Sequence, residues 1–204
     1  MSEPTREEFL EGVKQFEKHE RRDAMYKVAT FLLSHFWSKP SDMADALGVL
    51  LLTWNQAFYR YGSFDFDKLE RCIADNLQKL NMFRNRDISS LSRNDDDDIK
   101  DLFDKFLAAL SINSGKKKGE KSPVSASKAL HLLAPKFFPL WDYKIAKAYK
   151  SPYSQKPAQN YLAFCKTTKE VADTVRRYAT PSDKTLLKMI DEYNYSKFTK
   201  GWIR

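Results

Sequence analysis

Two residues of this 204-residue chain, Lys128 and Asp142, have the types and the setting for bond-making chemistry. A lysine amine attacks an electrophilic carbon such as a sugar C1′, forming a Schiff base, but only in its neutral form. Its ordinary pKa of about 10.4 must therefore be lowered, and a half-buried place near a helix N-terminus would lower it. An aspartate has two roles open to it. It can balance the positive charge that develops on a sugar as a glycosidic bond breaks, or cap a helix N-terminus, a role worth about 1 kcal/mol. The elements that position the pair surround them in the sequence. Ala126, Ala129, Leu130, Leu132 and Leu133 predict a short apolar helix with Lys128 near its start, and Pro135 and Pro139 end it in a corner. Asp142 then stands where the N-cap of a second helix belongs, ahead of Ile145, Ala146 and Ala148.

The stretch from Ser122 to Tyr149 resembles the helix-hairpin-helix DNA glycosylase superfamily, in particular its 8-oxoguanine glycosylase-like branch. There a hairpin ending in a lysine is followed by a helix, a proline and an essential aspartate. On that resemblance Val124-Ser-Ala-Ser127 stands for the hairpin, with Ser125 and Ser127 facing phosphate where the family carries glycines. Lys128 stands for the nucleophile, and Pro139-Leu-Trp-Asp142 for the segment that presents the carboxylate. The resemblance implies an all-α, helix-hairpin-helix glycosylase-like fold of two closely packed lobes. It also implies base excision at an N-glycosidic bond with a Schiff-base lyase step, no cofactor, and DNA as the partner. The exchanged glycines favour a rival, a nucleic-acid-binding or interaction module on the same fold without the chemistry. Cleavage of a free nucleoside is a third reading, because no duplex then has to be gripped.

Neighbouring residues extend the candidate site. His131 shares a helix face with Lys128 and is placed to tune the amine, to contact a phosphate, or to pack with its ring bonded to a backbone carbonyl. Trp141 either anchors the proline corner or offers a stacking surface. Trp54, Asn55 and Gln56 open a run, continuing to Phe66, that mixes amides with aromatics. Extruded bases are read by stacking and amide hydrogen bonds, so Trp54, Asn55, Gln56, His131 and Trp141 form the candidate base pocket.

The net charge of +8 and a pI near 9.3 favour a polyanionic partner, with Lys116, Lys117, Lys118, Lys144, Lys147 and Lys150 as candidate phosphate contacts. Hydrophobic residues at 42% argue for a packed core, and no run of alternating β-branched residues appears, so the fold class reads as all-α. Cys72 and Cys165 sit in separate apolar helical patterns, as reduced thiols of a cytoplasmic protein do; with three scattered histidines they make no metal site. No apolar leader opens the chain and no stretch approaches about 18 apolar residues, so neither secretion nor a membrane span is expected. Gly115-Lys-Lys-Lys-Gly-Glu-Lys-Ser122 lacks phosphate-loop spacing, and Asp95 to Asp98 lack the glycine and closing glutamate of a calcium loop.

A single helical domain over 1–204 is expected, with an N-terminal bundle over 5–112, a basic loop over 113–123, and the lysine–aspartate unit with the last helices over 124–204. Within it the pattern predicts two helices over 5–37 joined by the polar run Lys18 to Asp23. A buried central helix follows, from Pro40 through Met43 to Tyr61, and another starts at Asp65 or Asp67. One helix is expected after the acidic run Asp95 to Asp98, and two more over Tyr161 to Tyr178 and Pro181 to Tyr195, the last opened by Pro181-Ser-Asp183. Phe198 and Trp202 are expected to dock the tail.

Overall fold

The computed structural model describes residues 3–179 and 183–203, and all regular structure among them is helical. Before the basic loop come α1 (Arg6–His19), α2 (Ala24–His35), α3 (Pro40–Trp54), the one-turn α4 (Gln56–Tyr59), α5 (Phe66–Arg84) and α6 (Asp96–Ala109). Beyond the basic loop come α7 (Pro123–Leu133), α8 (Tyr143–Ala148), α9 (Pro157–Val175) and α10 (Leu186–Asn194), which runs into a π-helical turn, Tyr195–Lys200. No helix of the described residues is long and apolar enough to cross a membrane.

Local chemistry explains the boundaries. Thr5 caps α1 by accepting from Glu8 N, and the polar joint ends at Asp23, whose φ of 39° turns the chain into α2. Asp65 rather than Asp67 caps α5, taking the amides of Asp67 and Lys68. Three acids fill the first turn of α6, where the helix dipole favours them. The basic loop is tied down: Asn113 N donates to Ser63 O, and Ile112 N to Glu120 O. Thr185 caps α10 through Lys188 N; Pro181 and Ser182, read as opening that helix, lie outside the described residues.

One expectation needs correction. The central helix does not continue to Tyr61, because Asn55 leaves helical geometry and its side-chain amide is drawn away to Ser125 Oγ, 2.6 Å distant on α7. Nor is α3 buried all round, since Val49 remains 59% exposed while Met43, Leu47 and Leu51 are fully covered.

A continuous apolar cluster links both parts of the chain, from Phe9 and Leu33 to Leu130, Trp141 and Ile190. Trp141 anchors the proline corner at ring-centroid distances of 5.0 Å from Tyr153, 5.5 Å from Tyr161 and 5.9 Å from Phe103. The Tyr161 hydroxyl fixes the same corner by donating to Pro139 O at 2.9 Å. At the other end, Gly12 lets α10 lie tightly on α1, for a Cβ there would stand 2.8 Å from the Tyr193 ring. Ser196 Oγ donates to Gly12 O at 2.7 Å and locks this crossing. The tail docks as expected: Trp202 stacks on His19 at 4.4 Å, and Phe198 packs on the core beside Tyr149 and Tyr193.

Trp141→Ala is expected to cost about 3–5 kcal/mol, as large-to-small changes in packed aromatic cores do. Thermal unfolding followed by circular dichroism should show a Tm lower by roughly 10 °C, and Trp141→Phe should recover much of the loss.

Candidate functional site

Lys128 leaves α7 in its second turn and points its amine at the C-terminal end of α3. Nζ donates to Asn55 Oδ1 at 2.7 Å and to Trp54 O at 3.2 Å, and lies 4.3 Å from the centroid of the Trp54 ring. These are the acceptors an ammonium seeks: a carbonyl at the negative end of a helix, an amide oxygen and an aromatic face. Burial nonetheless dominates and pushes its pKa down to about 8, against the pull of the Asp191 and Asp142 carboxylates. At neutral pH about a tenth of the amine is then uncharged, where an exposed lysine is neutral about once in several thousand.

Asp142 meets the N-terminus of α8 and the π-helical turn together. Its Oδ1 accepts from Ile145 N at 2.7 Å, the capping bond read from the sequence, and its Oδ2 accepts from Thr199 Oγ1 at 3.0 Å. Lys128 and Asp142, 14 residues apart in the chain, line one cavity of about 590 Å³. Trp54 and Trp141 contribute to its wall, and Arg21, Arg22 and Asp23 of the α1–α2 joint stand at its edge.

The cavity also contains Lys188 and Asp191 of α10, which the sequence reading missed. Lys188 is only 2% exposed, held between the rings of Phe16 and Tyr26, with Nζ 2.9 Å from Asp23, 3.7 Å from Asp191 and 3.8 Å from Glu192. Burial pushes the Asp191 carboxyl up to about 6; Lys188 opposes the rise, and Asp142 and Asp23 add to it. The sequence concealed this group. A lysine followed three and four residues later by acids is the usual signature of a solvated helix face. The available signal was the apolar company of Leu187, Met189 and Ile190, which surrounds those charges with core residues.

Several expected members lie elsewhere. Ser125 and Ser127 are corrected: neither faces a phosphate, because Val124 to Ser127 is the opening of α7, not a hairpin. Both serines are fully buried, Ser125 Oγ accepting from Asn55 and Ser127 Oγ donating to Val124 O and Trp141 O. His131 follows the packing reading, with Nδ1 2.7 Å from Phe138 O and Nε2 3.2 Å from the Tyr26 hydroxyl. Complete burial pushes its pKa down to about 4, and it does not line the cavity. Asn55 supports Lys128 from beneath instead of lining the cavity, and Gln56 is exposed at the start of α4. Lys116, Lys118, Lys147 and Lys150 are exposed, and Lys117 pairs with Glu120 at 3.1 Å. Lys144 donates to Thr199 O at 2.7 Å, beside the hydroxyl that holds Asp142.

Comparison with known proteins returned no matching family model, no matching curated protein and no matching solved structure. What the cavity can do follows from its own groups. It presents an amine with a raised neutral fraction, the carboxylates of Asp142 and Asp191, and a joint that carries Glu20, Arg21, Arg22 and Asp23.

The carboxyl of Asp191 binds its proton more tightly folded than unfolded. It therefore contributes stability below its unfolded pKa, near 4, and that contribution is lost as pH rises through about 6. Asp191→Asn should consequently stabilise the protein at pH 7.5 by up to about 3 kcal/mol. The gain should vanish below pH 4, and paired melting curves at the two pH values measure it.

Proposed function

We propose that the cavity cleaves an N-glycosidic bond in nucleic acid, with Lys128 as the nucleophile at C1′ and Asp142 as the countercharge to the developing sugar cation. The observation that carries this reading is the convergence of a desolvated amine and a fixed carboxylate in one cavity of about 590 Å³. That volume lies within the common range for small-ligand sites, about 300–1,000 Å³, and suits an extruded nucleoside. Arg21 and Arg22 form no ion pair among the described residues and stand at the mouth, where flanking phosphates would lie. The net charge of +8 supports DNA as the partner, and the free cysteines Cys72 and Cys165 fit a reducing, cytoplasmic setting.

In this reaction the neutral Lys128 nitrogen bonds to C1′ as the bond from C1′ to the base nitrogen breaks. The base leaves with that electron pair and takes up a proton. The new secondary amine then expels O4′ of the sugar, which is protonated, and the result is a Schiff base between Lys128 and C1′. Asp142 faces the sugar while the positive charge forms, its orientation fixed by Ile145 N and Thr199 Oγ1. A second reading, base binding without cleavage, is favoured by the hydrogen bonds that Lys128 and Asp142 already spend on holding the fold.

Borohydride should trap the protein covalently on DNA containing an abasic site. Lys128→Gln should lower the adduct at least 100-fold, while Lys188→Gln should retain it; equal trapping by Lys128→Gln would assign the reaction to another amine. On a substrate the parent cleaves, Asp142→Asn should slow base release on the order of 100-fold with binding little changed, since asparagine still caps α8 but carries no charge. Binding to abasic DNA should weaken linearly in log–log salt titrations. Replacing Arg21 and Arg22 together by Gln should reduce the slope by roughly 1–2.

A further inference from the structure

We infer that Asp191 is the proton acceptor that frees the Lys128 amine, a role distinct from the charge-balancing role of Asp142. The inference rests on Lys128 acting as the nucleophile. Asp191 is placed for the task by the tight crossing of α10 on α1 at Gly12, which carries it into the cavity that Lys128 lines. Of the two carboxylates that act on the amine, Asp191 acts more strongly than Asp142.

Its oxygens are also the ones available. Both oxygens of Asp142 accept hydrogen bonds, from Ile145 N and Thr199 Oγ1. Asp23 is paired with Lys188 at 2.9 Å, and Glu192 with Lys184 at 2.9 Å. The Asp191 carboxylate accepts no hydrogen bond among the described residues; its nearest cation, Lys188, stands 3.7 Å away and is spent on Asp23. A carboxylate that lines a cavity without a protein hydrogen-bond donor is open to a proton or a ligand donor.

Charges from every packed element act on Asp191. Lys188 and Glu192 share α10, Asp23 comes from the α1–α2 joint, Tyr26 from α2, Lys128 from α7 and Asp142 from the head of α8. His19, Glu20, Arg21 and Arg22 complete the mouth. Their net effect with burial brings the proton affinities of Asp191, about 6, and Lys128, about 8, towards each other. Transfer from ammonium to carboxylate is then about a hundredfold uphill, instead of more than a millionfold between the same groups in water.

With the aldehyde of an abasic sugar as substrate the proton count closes. Lys128 forms no direct ion pair with Asp191, so its ammonium gives a proton to Asp191 through a water in the cavity, and the amine lone pair bonds to C1′ as the carbonyl oxygen takes the proton back from Asp191 by the same route. The resulting ammonium carbinol loses a proton from nitrogen to Asp191, which passes it to the hydroxyl. The hydroxyl leaves as water and the nitrogen lone pair forms the iminium. One ammonium and one aldehyde become one iminium and one water, with no change of oxidation state and Asp191 regenerated.

The test is the rate of trapping by cyanoborohydride on abasic duplex DNA between pH 4.5 and 9. The parent rate should rise through an acid limb near pH 6. Asp191→Asn should lose that limb and fall at least tenfold at pH 7, Asp191→Glu should restore the limb, and Asp142→Asn should keep it. Circular dichroism establishes that each variant is folded. An acid limb unchanged in Asp191→Asn, with the parent trapping normally, overturns the role of Asp191 alone. A parent that traps at no pH overturns the nucleophile and this role with it.

Discussion

The amine of Lys128 closes the end of α3, and much of the site depends on that contact. By accepting from Lys128 and donating to Ser125, Asn55 takes the chain out of helical geometry, ends α3 and fastens it to α7. The lysine is thereby drawn out of water against the Trp54 ring. Withdrawal from solvent is what makes an amine chemically useful, and a helix end is one of few places that holds such an amine without a direct ion pair.

The opposite wall carries the complementary strain. Lys188 is buried because two aromatic rings and three carboxylates surround it, while Asp191 and Asp142 face the same space. Like charges held together in a partly dry cavity cost stability that the apolar cluster must offset. Groups kept in settings that raise or lower their proton affinity are more often found where chemistry is done than where only packing is needed. The sum of these conflicts, more than any single residue, marks this cavity.

How far the site could be read from sequence depended on whether its signals were local. Lys128 and Asp142 were legible because prolines, an N-cap position and an apolar helical stripe lie within a few residues of each. The two-helix reading of the N-terminus, the start of α5 after Asp65 and the acidic opening of α6, which begins at Asp96 inside the run instead of after it, rested on the same kind of signal. Asp191 was hidden because its meaning comes from Gly12, 179 residues earlier, which admits α10 to the core. The serines of α7 were misread because Ser-rich sequence before a helix fits a phosphate-facing hairpin as well as a capped first turn. Ser122 as N-cap with Pro123 behind it decides for the turn. The reach of the central helix failed for a related reason: the partner that breaks it at Asn55, Ser125, is 70 residues away.

The central claim is that folding lowers the proton affinity of Lys128 until a usable fraction of its amine is neutral at working pH. Reductive methylation with ¹³C-formaldehyde followed by NMR titration resolves individual lysines, and Lys128→Arg assigns the resonance. A midpoint near 8 for Lys128, well below the ordinary lysine value of about 10.4, is the predicted result. A Lys128 midpoint at or above 10 would contradict the account.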